Sequence, residues 1–469
     1  MQLGPKDVHM TPPLIRRDLP HPHRRVPLLG DITHLDRYRP IQNEVALAAS
    51  LGPIFERRVL GLHFIYVAGA RLATQCLDEQ HWARSLYGPV LEFQRFMPDS
   101  LFVVDSDNPL WGQARRILTP AFAQKAMRSY HRAMQSVADD LVAEWSAGDG
   151  VIDTHSAMTR AAGEVIGRAG FTRDLGLFHD APDSADSQAF IDSLGDLLRM
   201  ASDAGLALPI IGPLRRRILE PSVRRNVEVI HSFADRIIAE RKAHPTDDED
   251  LLNLMLTAID PETGRRLPSD NVREQVLTFM AGGYETTAAL LESVLHYIAA
   301  DQELQERLRT EVLARGGFDY HAVTGMRLIR HTLNECLRLW PPAPGYFRRA
   351  RTDQDLGGYR IPAGQMVFVL ALAAQRGKDV WGPDADIFDP SRFEPDRLRS
   401  HPDRFFEPWG TGPRSCIGRQ FALHEATLLI ARILSAFELS TDGTPLIMRE
   451  RGTLRPEPYQ LKVILRSNR

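Results

Sequence analysis

The sequence predicts one domain that is mainly α-helical with minor antiparallel β-structure. Three observations predict it. Helical periodicity sets in at Leu110 and stays dominant to Leu339. Strand-and-turn patterns concentrate in two stretches, 54–69 and 346–374. No internal repeat and no low-complexity linker divides the 469 residues.

Taken in order, residues 1–30 are rich in Pro and Arg and are expected to run extended over the surface, leaving 31–469 as the folded domain. IFERRVL (54–60) and HFIYVAG (63–69), joined by Gly61-Leu62, read as a hairpin. A helical stretch covers Leu110 to about Glu144, and the acidic break HPTDDEDLL (244–252) supplies capping Asp residues for a following helix. A long helix is expected from Ser269-Asp270 to Ala300, about 45–50 Å at 1.5 Å per residue. YFRRA, GYRIPAG and QMVFVLAL read as strands and turns, 381–408 as coil, Ile417 to Phe437 as a helix and TLRPEPYQLKVILR as a second hairpin.

Apolar residues make up 43% and charged residues 25%, enough for a large core that encloses a ligand-sized cavity. The net charge of −3 leaves no nucleic-acid footprint. The run MVFVLALAA (366–374) is too short to span a bilayer, and no hydrophobic signal region opens the chain. Cys76, Cys336 and Cys416 lack disulfide or zinc spacing, so a cytoplasmic protein without a membrane anchor is expected.

Cys416, in WGTGPRSCIG (409–418), stands just before the helix IGRQFALHEATLLIARIL. Free N–H groups at a helix start favour an anion and so a thiolate. Gly412 and Gly418 clear space for a flat, bulky partner, and Arg414 offers a cation close by. A thiolate with one open face suits the fifth ligand position of haem iron.

These residues resemble the haem loop of the cytochromes P-450, the haem-thiolate monooxygenases, written F-x-x-G-x-R-x-C-x-G. Trp409, Gly412, Arg414, Cys416 and Gly418 fall in register, with Trp in place of Phe. Three further motifs extend the resemblance from Trp111 to Phe421. NECLR (334–338) holds Glu335 and Arg338 one helical turn apart, able to pair. DPSRF (389–393) follows, and the resemblance implies that Arg392 completes a Glu-Arg-Arg cluster bracing the coil that carries the cysteine. TFMAGGYETTAALL (278–291) puts two glycines mid-helix, each costing about 1 kcal/mol against Ala. The Thr286 hydroxyl is within reach of the Gly282 carbonyl four residues back, a bond that opens a groove for dioxygen. The resemblance assigns proton delivery to Glu285 and Thr286. WGQAR (111–115) sets Trp111 and Arg115 on one helix face, where the resemblance places the haem carboxylates, with Arg349 as a further contact.

The resemblance therefore implies the cytochrome P-450 fold, with haem b between the long central helix and the start of the cysteine helix. It implies Cys416 as iron ligand and dioxygen as co-substrate. The implied reaction inserts one oxygen atom into a hydrophobic substrate, by hydroxylation or epoxidation. Phe93, Phe96, Met97, Phe102, Phe279, Pro344, Tyr346 and Phe347 would line its pocket. ECLRLWPPAP and CIGRQFALHEATLL are most similar to the haem domain of bacterial fatty-acid hydroxylases fused to their reductase. With 53 residues after Cys416 (469 − 416), the chain is expected to take electrons from a separate ferredoxin or flavodoxin and its reductase. Fatty-acid oxidation and a tailoring step in secondary-metabolite biosynthesis both fit. The alternatives are a haem-thiolate peroxygenase or isomerase that needs no external reductant and, from another class, a non-catalytic haem gas sensor.

Overall fold

The helix Ser269–Ala300 runs through the middle of the protein, and its 32 residues extend about 48 Å at 1.5 Å per residue. Pro268 precedes it, Asp270 lies in its positive first turn, and Asp301 ends it by capping the next helix, Gln302–Ala314. This is a computed structural model that describes residues 18–36, 38–179, 184–205 and 212–466. Apolar side chains on several faces of the central helix are buried, which a helix enclosed by other helices requires. Its neighbours include Thr154–Val165, Gly212–Ala243, the ion-pair helix Arg327–Leu339 and the cysteine helix Arg419–Ala436.

Twelve strands are described: β1 Ile54–Val59, β2 Leu62–Val67, β3 Trp82–Arg84, β4 Val151–Asp153, β5 Tyr346–Ala350, β6 Gln354–Leu356, β7 Tyr359–Ile361, β8 Met366–Val369, β9 Phe437–Ser440, β10 Met448–Arg451, β11 Thr453–Pro456 and β12 Gln460–Leu465. The largest sheet has the order β1-β2-β8-β5-β3. Its β2–β8 pairing is parallel, so this sheet is mixed rather than purely antiparallel. β1 and β2 pair from Ile54↔Val67 to Val59↔Leu62. Their turn is Leu60-Gly61, one residue earlier than the sequence suggests, with φ of 49° and 81° at the two positions.

Two other expectations are corrected. TLRPEPYQLKVILR forms no hairpin with itself. β11 pairs with β10, whereas β12 crosses to β4 and β9. The described part of the amino-terminal segment is not detached either: Pro20 accepts a hydrogen bond from Glu56 N at 2.9 Å, and Asp31 N donates to Arg58 O at 2.7 Å, along the β1 edge. Residues 1–17 lie outside the described residues.

Candidate active site

The cysteine loop is closed by one backbone bond, Cys416 N to Trp409 O at 2.7 Å. Within it Gly410 and Gly412 have φ of 64° and 63°, a region that side chains disfavour. Cys76 and Cys336 are buried, but Cys416 is exposed on one side. A Cβ added at Gly418 would stand 3.9 Å from Cys416 Sγ, so that glycine leaves the flank of the sulfur open. Burial raises the Cys416 pKa, while the N–H groups of Gly418 and Arg419 and the charges of Arg115 and Arg419 pull it down. A cation on the open face would tip that balance to the thiolate.

Arg414 spends its donors away from the sulfur. It donates to Ser106 Oγ at 2.8 Å, Leu101 O at 3.1 Å and Val104 O at 2.6 Å, and its guanidinium lies 4.2 Å over the Trp111 ring. Arg115 donates to Ser415 O at 3.1 Å. Arg84, which the sequence reading missed, donates to Phe102 O at 2.5 Å and Val104 O at 3.1 Å. None of these hydrogen bonds ends on a carboxylate. Burial, and then repulsion from Arg84, brings the Arg414 pKa down to about 9, with Asp105 and Glu79 only partly offsetting it. Burial takes Arg84 down to about 10. Three cations facing backbone carbonyls beside a tryptophan make a place for a flat molecule's carboxylates.

Arg349 does not belong to that cluster. Alternation along β5 turns Arg349 outward and buries Arg348, which is committed to Cys76 O at 2.8 Å and to Glu79 at 3.2 Å. Arg84 could have been suspected only from its place two residues after Trp82, on the same face of a strand.

On the central helix the two glycines do different work. A Cβ at Gly283 would meet Ile166 at 3.0 Å, so Gly283 permits close packing against a π turn, Ile166–Gly170. Gly282 has nothing within 4 Å and is exposed in mid-helix. Thr286 Oγ1 donates to Gly282 O at 2.8 Å. Glu285 is placed differently from a free proton donor: it accepts from Thr453 Oγ1 and from Arg455 Nη1, both at 2.9 Å. Arg455 also holds Glu292, two turns further along the helix, through Nε at 3.0 Å to both carboxylate oxygens.

Glu335 and Arg338 form a two-pronged, fully buried pair at 2.7 and 2.8 Å. Arg392 Nε stands 3.5 Å from Glu335 Oε1, and Asp389 N donates to the same oxygen at 2.9 Å. The connection to the cysteine loop passes through Gln375, a second residue the sequence reading missed. Its carbonyl accepts from Arg338 at 3.3 Å, and its side-chain oxygen accepts from Glu407 N at 3.0 Å, two residues before Trp409.

The aromatic residues divide as well. Phe93, Phe96 and Met97 are buried in the main core, in the same cluster as Phe279. Phe279 stacks on Phe122 at 5.5 Å. Phe102 is 44% exposed. Pro344, Tyr346 and Phe347 are partly buried, and Phe347 packs on Tyr87 at 5.0 Å.

The fold and this arrangement, a cysteine sulfur with one open face and a carboxylate-seeking cation cluster beside it, define a haem-thiolate protein. Comparison with known proteins agrees. The sequence profile of the family described as Cytochrome P450 matches residues 20–463. The bifunctional cytochrome P450/NADPH–P450 reductase 2 of Bacillus subtilis is 36% identical over 454 residues, 95% of this chain and 42% of that protein. Its counterpart in Bacillus cereus is 34% identical over 458 residues, 96% of this chain and 42% of that protein. A self-sufficient cytochrome P450 monooxygenase of Phanerodontia chrysosporium is 29% identical over 455 residues, again 95% and 42%. The chain spans about two fifths of the length of these relatives. It belongs to the cytochrome P450 family of monooxygenases, which use haem b on a cysteine thiolate, with dioxygen. Among the described residues no helix is long and apolar enough to cross a membrane.

Proposed function

We propose that this chain inserts one oxygen atom of dioxygen into a C–H or C=C bond of a hydrophobic substrate. Electrons would come from a separate ferredoxin or flavodoxin and its reductase, in the cytoplasm. The observation that carries the reading is the open-faced Cys416 sulfur beside three arginines that, among the described residues, hydrogen-bond to backbone carbonyls and a serine hydroxyl rather than to carboxylates. Cys416 would ligate iron, and Arg84, Arg115, Arg414 and Trp111 would hold the haem carboxylates. Haem bound there supplies oxygen activation, favoured by electron density from the thiolate.

The remaining work falls to the chain's own residues. Gly282 leaves room in the central helix, and the Thr286 hydroxyl, held by the Gly282 carbonyl, holds a proton at the mouth of that groove. Glu285 resupplies that proton once it leaves Arg455. Phe102, Phe347 and Phe279 exclude water and favour an apolar substrate, a fatty acid or a terpenoid- or polyketide-like molecule. The names of the relatives carry no substrate, so the choice among these rests on the pocket alone.

The test is the spectrum of the reduced, CO-treated protein. A band typical of a thiolate ligand is expected, and Cys416→Ser should abolish it while leaving the helical circular dichroism unchanged. A band typical of histidine-ligated haem in the wild type would end the reading. The pairing of Glu285 with Arg455 favours a second reading, peroxide-driven turnover. Product formed with peroxide alone, and none with any redox partner, would select it.

A further inference from the structure

The segment Asp99–Val104 crosses the site as irregular backbone, and side chains rather than secondary structure satisfy much of it. On one side the central helix holds it. Asn271 Nδ2 donates to Asp99 O at 2.8 Å, Asp99 N donates to Glu274 Oε2 at 2.6 Å, and Leu101 N donates to Gln275 Oε1 at 3.2 Å. On the other side stand the arginines of the cation cluster. Arg414 donates to the carbonyls of Leu101 and Val104, and Arg84 to those of Phe102 and Val104. Gln94 adds a bond to Val103 O at 2.8 Å. Phe102, within this strap, is 44% exposed, with the Arg84 guanidinium 5.8 Å from its ring.

We propose that Asn271, Glu274 and Gln275 are positioning residues that clamp the Asp99–Val104 strap to the central helix, and so set how far Phe102 projects into the substrate cavity. None of the three need touch substrate. They act through the strap, and their consequence is affinity and selectivity for the apolar ligand. The specificity half of this rests on Phe102 being a wall of that cavity; the clamp itself does not.

The geometry also gives the clamp a pH dependence. Glu274 is mostly buried, and it faces Asp99 on the strap and Asp270 and Arg273 on its own helix. Arg273 is itself paired with Asp235 of the helix Gly212–Ala243 at 2.5 Å. Burial, with help from the two aspartates, raises the Glu274 pKa to about 7, against the opposing bond from Asp99 N. The closed clamp therefore holds a proton that an opened, hydrated Glu274 would release. Opening is disfavoured at acid pH, grows as pH rises from about 5 to 7, and levels off above.

The test is hydrogen exchange on the haem-loaded protein, corrected for intrinsic pH dependence, with laurate as the affinity probe. Glu274→Ala should speed exchange of the Asp99 and Leu101 amides roughly tenfold or more, with the Cys416 loop and the ion-pair helix unchanged. Wild-type opening at those amides should rise roughly tenfold between pH 5 and 7, and Glu274→Gln should be flat over the same range. Laurate affinity should change at least about threefold in Glu274→Ala, in the same direction as in Phe102→Ala. Unchanged exchange at Asp99, or a uniform rise across the protein, would overturn the clamp. A Glu274→Gln profile that tracks the wild type would overturn its pH dependence. If Phe102→Ala alters laurate affinity and Glu274→Ala does not, the positioning role is overturned. If Phe102→Ala alters nothing, the reading of the cavity wall fails instead, and the specificity claim with it.

Discussion

Two ion clusters flank the site, and they are built on different balances. Beneath the cysteine loop, Glu335 meets Arg338 and Arg392, and Arg392 also reaches Asp384 Oδ2 at 2.7 Å, two acids against two bases. The remaining guanidinium N–H groups donate to backbone carbonyls of Gln375, Trp381 and Asp384. Across the central helix, Arg455 meets Glu285 and Glu292, one base against two acids. In the first cluster Glu335, Arg338 and Arg392 are sealed at 0 to 1% exposure, and Asp384, at 47%, closes it from the surface. The second communicates outward, since His155 stands 3.5 Å from Glu292 with 44% of its side chain exposed. Burying charge is costly unless every lone pair and proton is met, so a sealed cluster suits a scaffold. A cluster with a spare carboxylate and a route to water suits proton handling.

The largest expected effect falls on the sealed side. Glu335→Ala or Arg338→Ala leaves one charge buried without its partner and should destabilise the fold by about 3–5 kcal/mol, with loss of haem retention. Urea unfolding measures it, and a stable haem-loaded protein from both variants would break the contrast.

A smaller loss, about 2 kcal/mol, is expected from Arg455→Met, because Glu285 keeps 12% side-chain exposure and its bond from Thr453, and only Glu292 is left sealed without its cation. Urea unfolding against the wild type measures it, and no loss of stability would show that the two carboxylates do not depend on the arginine.

On the sealed side a third effect is acid sensitivity. His424, on the cysteine helix, lies 2.9 Å from His131, and burial followed by repulsion from His131 depresses its pKa to about 4. Its contribution is present above pH 6.5 and lost as pH falls through about 4. Denaturation midpoints of the wild type should therefore drop over that window, more steeply than those of His424→Gln. Parallel curves for the two proteins would remove His424 from the acid response.

The smallest stability change, under about 0.5 kcal/mol, should come from Thr286→Ala, since alanine is the better helix former. That same variant should uncouple reductant use from product and release hydrogen peroxide. Unchanged coupling would take the Thr286 hydroxyl out of proton delivery.

What was legible in advance is what chemistry writes locally. Residues three or four apart on a helix must share a face, so the Glu335–Arg338 pair and the Thr286–Gly282 bond follow from spacing once the helix is granted. The same holds for the Ser269–Ala300 helix, whose ends carry their own signals in Pro268 and Asp301. Glu285 was legible as a residue but not in its placement, because its partners Thr453 and Arg455 lie about 170 positions away. Arg349 and Arg348 are adjacent, and only the register of β5 against β8 decides which one turns inward.

By itself the sequence determined the order of helices, the closed loop around Cys416 and the pairing of side chains one turn apart. All of these depend on short-range geometry that no distant contact needs to supply. Tertiary structure alone decided that Arg84 joins the cation cluster, that Gln375 ties the ion pair to the cysteine loop, and that Asn271, Glu274 and Gln275 meet the strap. Those contacts join single polar residues that carry no local signature. Their partners are chosen by where the chain returns, and the return is set by burial of the whole core.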